Sequence, residues 1–118
     1  PCHLMMIFNV SEGRLNCHLT QRSGDIALGI PFNLACYAAL TQIIAQQVGL
    51  EPGILAHTIV DAHIYVNHVD GLREQLQRTP YNLPKLHIAD KDIDELEYED
   101  FELKDYQSHP PIKFEVAV

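Results

Sequence analysis

Cys2 carries a thiol whose ionised form is a nucleophile, and Arg22, on the following strand-like stretch, is a cation able to favour that form. The competing reading of Cys2 is a small buried hydrophobe. Arg22 and Ser23 together can hold a cluster of anionic oxygens, because a guanidinium presents a rigid fork of donors and a hydroxyl adds another. The alternative for Arg22 is a salt bridge within its loop, to Asp25. Asn33 stands two residues after Pro31, at the mouth of the most apolar segment. There it either caps a helix or offers a ligand both a donor and an acceptor. His63 and Tyr65 are two apart, so on a strand they share a face and can form a hydrogen-bonding pair. Ordinary packing with polar tips in water is the other reading of that pair. His57, His63 and His68 are metal-ligating types, but the first two lie about 20 Å apart along a strand, and a metal needs convergent ligands. No metal is expected. Cys17 and Cys36 fall on apolar faces and read as core. "GDIALG" meets neither nucleotide-binding fingerprint.

The elements that must position these groups can be read from periodicity. "HLMMIFNV", 3–10, suits a buried strand, and "SEGR", 11–14, has turn chemistry. "LNCHLTQR", 15–22, alternates with Leu15, Cys17 and Leu19 on one face, which predicts a hairpin. "GDIALGIPF" reads as a loop. From Asn33 to Val48 apolar residues cover nearly the whole circumference of a helix, and such a helix is buried. Gly49 is its stop, and "EPG", 51–53, breaks the chain. "ILAHTIVDAHIYV", 54–66, reads as a buried strand, 67–78 as a helix ending before Thr79-Pro80, and "KLHIA", 85–89, as a short strand. One helical turn is expected around 92–96, then an extended tail in which Pro110-Pro111 exclude helix. The mixture is α/β or α+β.

The 118 residues, 47% apolar, fit one domain with a real core. The net charge of −8 is local: residues 90–105 hold nine acids against two lysines, and the rest seven acids against six basic residues. This is a solvated segment, and it argues against a nucleic-acid partner, which requires a basic face. No apolar run reaches membrane-spanning length. Three cysteines without CxxC spacing, and no leader-like start, point to a reducing, cytoplasmic compartment. The sequence begins at Pro1 rather than Met and runs straight into an apolar stretch, as if it were cut from, or separate from, a preceding part.

"PCH", "QRSGDIALGIPFNLACYAALTQIIA", "HTIVDAHIYVNHVDGLREQLQRTP", "LPKL", "EDFEL" and "HPPIKFEVAV" resemble thymidylate synthase, from residue 1 to 118. The resemblance covers the C-terminal part of that family's chain, somewhat under half. It implies a mixed β-sheet packed on a long buried central helix, incomplete here, as one segment, 1–118, of a single domain. It implies dUMP and 5,10-methylenetetrahydrofolate as substrates, with dTMP as product. Residue by residue, Cys2 matches the nucleophile that adds to uracil C6. Arg22 and Ser23 match phosphate ligands, with Gly24 in the same substrate-binding run. Asp25 matches the carboxylate that receives the pterin N–H groups, and Asn33 the amide that reads the uracil edge. His63 and Tyr65 match the pair that bonds the deoxyribose hydroxyl. Ala117 and Val118 match the tail that closes over the folate.

Four positions depart from the family pattern. Val60 stands where glycine is usual, Thr20 where tyrosine is usual, and Ile7 and Asn9 where glutamine and tyrosine are usual; altered pocket shape is the expectation. The resemblance also implies partners: a homodimer whose other subunit lends two arginines, and an upstream segment with a further arginine, a glutamate and tryptophans. The 118 residues alone are therefore expected to bind dUMP poorly. A uracil-nucleotide hydroxymethylase, sharing the thiol addition but finished by water, is the neighbouring alternative. A non-catalytic copy acting as a dimerisation module is another.

Overall fold

Residues 15 to 21 set the core of the first half. Leu15, Cys17 and Leu19 alternate inward and are buried, and Gln21 continues the same phase with only 3% exposed. The computed structural model describes residues 2–116. The chain divides into two compact units, Pro1–His63 and Ile64–Val118.

The first unit runs β1 (His3–Ser11), β2 (Arg14–Asp25), α1 (Gly29–Gln47) and β3 (Glu51–His63). β1 and β2 form the expected antiparallel hairpin, Ser11 opposite Arg14, with Glu12 and Gly13 both at positive φ in the turn. β2 and β3 pair in parallel, so the three-stranded sheet is mixed, in the order β1-β2-β3. A parallel pair needs a crossover, and α1 provides it. Gly49 ends α1 as its sequence position predicts. At φ 68 its N–H bonds Gln46 O, and the Leu50 N–H bonds Ala45 O at 2.8 Å, which satisfies two of the terminal carbonyls.

Several expectations are corrected here. α1 begins at Gly29, so "GDIALGIPF" is the end of a strand and the start of a helix rather than a loop. The helix is not buried all round within these residues. It buries Ile30, Thr41 and Ala45 against the sheet, while Phe32 is 73% exposed and Leu34 and Cys36 are exposed too. β1 is mostly exposed rather than buried, and β3 is half-exposed along its length. β3 also starts three residues early, through Pro52. An edge strand tolerates proline because one side of its ladder is unpaired.

The register sorts the sheet's two faces. Val10, Phe8 and Met6 oppose Leu15, Cys17 and Leu19, on the face that α1 covers. Met5, Ile7 and Asn9 oppose Thr20, His18 and Asn16 on the other face, where His18 Nε2 and Thr58 Oγ1 lie 2.8 Å apart. Alternation along β3 places Val60 there as well, 74% exposed. All four departures from the family pattern, Ile7, Asn9, Thr20 and Val60, therefore lie on the outer face, and the register between Gln21↔Ile59 and Ser23↔Asp61 sets Val60 beside Arg22.

The second unit holds a 3-10 turn (Val66–His68), α2 (Val69–Leu76), β4 (Lys85–Ile88) and β5 (Phe101–Lys104), the last two antiparallel. The acidic segment supplies 3-10 turns at Ile93–Glu95 and Tyr98–Asp100 and then β5, which its composition did not announce. Asp100 is the acceptor that organises it. Lys91 Nζ and the Glu97 N–H both donate to its carboxylate, and these bonds hold its pKa below the usual carboxylate value. Among the described residues no helix is long and apolar enough to cross a membrane.

Candidate active site

Cys2 and Arg22 face each other across the hairpin. The Arg22 N–H donates to Cys2 O at 2.9 Å, continuing the register that opposes His3 to Gln21. Directly opposed residues of an antiparallel pair send their side chains to the same face, so thiol and guanidinium emerge together. Cys2 is half-buried and Arg22 exposed. This geometry favours Arg22 as the cation beside the thiol.

The residues next to these two build a second set that the sequence reading missed. His3 and Gln21 turn toward α1, where Asn33 sits on the helix's second turn. The cap reading of Asn33 fails, since the residue flanking the helix is Leu28, with no side-chain cap. Gln21 Nε2 donates to Asn33 Oδ1 at 3.0 Å and to Ser23 O at 2.9 Å. Gln21 Oε1 accepts from His57 Nε2 at 3.0 Å. Asn33 Nδ2 lies 3.3 Å from His3 Nε2, and His3 Nδ1 lies 2.7 Å from the Tyr37 hydroxyl.

Donor logic fixes the states of this network. An amide NH2 only donates, so His3 Nε2 accepts and the His3 proton sits on Nδ1, donated to Tyr37. Gln21 Oε1 only accepts, so His57 carries its proton on Nε2. The consequence for Asn33 is a fixed amide: its oxygen and nitrogen cannot exchange places without breaking both bonds. Each end keeps capacity for one further partner. A signal for Gln21 was present in the sequence, as a polar residue at the fourth step of an apolar alternation. His3, Tyr37 and His57 gave none.

A pH dependence follows with a definite sign. Burial first, and then the charge His3 can carry, hold His57 below its ordinary value of about 6.5. As pH falls below about 6.5 the unfolded chain takes up a proton that the folded chain resists, so stability is lost there and is level above. The urea midpoint is expected to be lower at about pH 5.5 than at about pH 7.5. His57→Gln, which keeps a donor to Gln21, is expected to reduce that difference; an unchanged difference would remove His57 as its source.

Asp25 ends β2, and its Oδ1 accepts from the N–H groups of Ala27 (2.9 Å) and Leu28 (3.3 Å), turning the chain into α1. Its register partner on β3 is His63, whose carbonyl accepts from the Ile26 N–H. Asp25 and His63 are thus neighbours at one end of the sheet. Ser23 pairs with Asp61 in the same stretch. Gly24 is buried because the helix passes close: a Cβ there would lie 2.6 Å from Ile30 Cδ1. β3 ends at His63, so the shared strand face expected for His63 and Tyr65 does not extend to Tyr65, which begins the second unit's 3-10 turn. Ala117 and Val118 lie outside the described residues. Cys17 is buried as expected. Among the described residues no three His, Cys, Asp or Glu side chains gather as metal ligands would.

The family model for thymidylate synthase matches residues 1–118, and the chain belongs to the thymidylate synthase family. Thymidylate synthase 1/2 of Encephalitozoon cuniculi (strain GB-M1) is 47% identical over 121 residues, a match that covers 99% of this chain and 41% of that protein. The chain thus spans about two fifths of the length of this curated relative.

Proposed function

We propose that these residues form the C-terminal part of a thymidylate synthase, a cytoplasmic methyltransferase that converts dUMP to dTMP with 5,10-methylenetetrahydrofolate. The observation that carries the reading is the cross-strand pairing of Cys2 with Arg22, within a chain whose family membership is shown.

On this reading the Cys2 thiolate adds to uracil C6, which converts C5 into an enolate carbon able to attack. Arg22 favours the thiolate and, with Ser23 and the adjoining Gly24, holds the nucleotide phosphate. Asn33 accepts from uracil N3–H through Oδ1 and donates to O4 through Nδ2, the orientation that Gln21 and His3 already impose. His63 and Tyr65 hold the deoxyribose hydroxyl. Asp25 receives the pterin N–H groups, and Ala117 belongs to the tail that covers the folate. The folate supplies the one-carbon unit and the hydride that completes the methyl group.

The uncovered surfaces fit the rest of this reading. The outward side of α1, with Phe32 and Leu34, is the place for an upstream segment of the same domain, which would make α1 the buried central helix. The outer sheet face, with Met5, Ile7, Ile54 and Val60 exposed, is the place for a homodimer partner. One arginine neutralises a phosphate dianion poorly, so the isolated chain is expected to turn over negligibly. Mixing it with the segment that precedes the matched region in the Encephalitozoon cuniculi relative is expected to yield thymidylate, identified by product mass. Turnover by the isolated chain at a rate typical of enzymes would contradict the shared-site reading. A complex that forms and makes no thymidylate leaves a dimerisation module, and a hydroxymethyl product identifies a hydroxymethylase.

A further inference from the structure

Three features of the second unit converge on residues 112–116. His68 is fully buried, and its Nε2 lies 2.7 Å from the carbonyl oxygen of Glu115. Asn67 Nδ2 donates to the same oxygen at 3.1 Å. A carbonyl only accepts, so His68 carries its proton on Nε2. The Phe114 ring meets His68 edge-on at 5.2 Å between centroids, and Tyr65 meets it likewise at 5.6 Å. Gly71 lies inside α2, where glycine is a poor helix former. A Cβ at this position would lie 2.6 Å from Phe114 Cε1 and 3.1 Å from Ile112 Cγ2. The missing side chain is therefore the space that Phe114 occupies. The exposed Lys113–Glu115 ion pair adds little to this seat.

We propose that Asn67, His68 and Gly71 form a latch that seats residues 112–116 on α2. The latch itself stands on these contacts. Its role as a set of positioning residues for folate binding rests on the function proposed above. Two donors on one carbonyl fix the chain's direction, and the ring in its slot fixes its height along the helix.

Trypsin cleavage after Lys113 in the full chain reads the latch directly, because a protease needs a locally released segment. His68→Phe keeps the stacking ring and removes the donor, and is expected to speed cleavage about tenfold, the factor for a lost buried hydrogen bond. His68→Gln, which restores a donor, is expected to recover most of the loss. Gly71→Ala is expected to speed cleavage roughly tenfold through overpacking against Phe114. In a Phe114→Ala background the same change is expected to have no effect or a protective one, since only the better helix former remains. Circular dichroism confirms that each variant is folded. Unchanged cleavage in His68→Phe would overturn the latch, as would an equal effect of Gly71→Ala in both backgrounds. In enzyme completed with its upstream segment, His68→Phe is expected to raise the folate KM about tenfold with the dUMP KM within about twofold. An unchanged folate KM would overturn the positioning role even where cleavage responds. If wild-type completed enzyme makes no thymidylate, the proposed function fails, and cleavage alone decides the latch.

Discussion

Cys2→Ser in the completed enzyme is expected to lower thymidylate formation by at least about 10⁴-fold while leaving dUMP affinity within about threefold. The argument begins with the atom. A thiol is a few per cent ionised at neutral pH and intrinsically nucleophilic, whereas a serine hydroxyl needs a dedicated base. Arg22, joined to position 2 by the main-chain bond from its N–H to Cys2 O, is a cation that never accepts a proton, so it cannot serve as the base for a hydroxyl. The backbone pairing survives the substitution, so Arg22 stays in place to hold phosphate, and binding should separate cleanly from chemistry. Loss of the C5 tritium of labelled dUMP measures the step that depends on addition at C6. Retention of a tenth or more of wild-type tritium release in Cys2→Ser would remove Cys2 from the mechanism.

Asn33→Asp carries the second large effect, on selectivity rather than rate. Asn33 Oδ1 is held by Gln21 Nε2 and its Nδ2 faces His3 Nε2, so the amide presents an acceptor and a donor in fixed places. A carboxylate keeps the first bond and loses the donor that uracil O4 requires. It gains an acceptor suited to the amino group of cytosine. Sites built to bond a specific polar group reject the wrong one by large factors, because the group is left unpaired. A swing of roughly 10²- to 10³-fold in kcat/KM from dUMP toward dCMP is expected. If kcat/KM for dUMP over dCMP is unchanged, Asn33 does not read the base.

What the sequence made legible was local. Leu15, Cys17 and Leu19 announced a strand with one covered face, Gly49 a helix stop, and residues 11–14 a tight turn, because each depends on neighbours within a few residues. The candidate site residues were proposed through resemblance. Their linkage was not, because Gln21 meets Asn33 twelve positions on and His57 thirty-six positions on, and only the parallel crossover makes those distances short. The burial of α1 was overread for a different reason. Apolar residues around a whole helix state that something must cover it, and within these residues β2 and β3 cover one side. β5 escaped notice because its acidic surroundings read as solvent-facing turns, whereas its pairing is decided by β4, where Ile88 is the register partner of Phe101 and Lys85 that of Lys104.

The helix-facing network around position 33 has one more implication. An amide side chain in water spins freely and must be stilled by whatever it meets. Here Gln21 and His3 have already stilled it, with one hydrogen and one lone pair that no ligand provides. If Asn33 reads the base as proposed, preference between two pyrimidines is settled when the polypeptide folds, before any guest arrives, and altering the glutamine would blur that choice without touching a single atom of the guest.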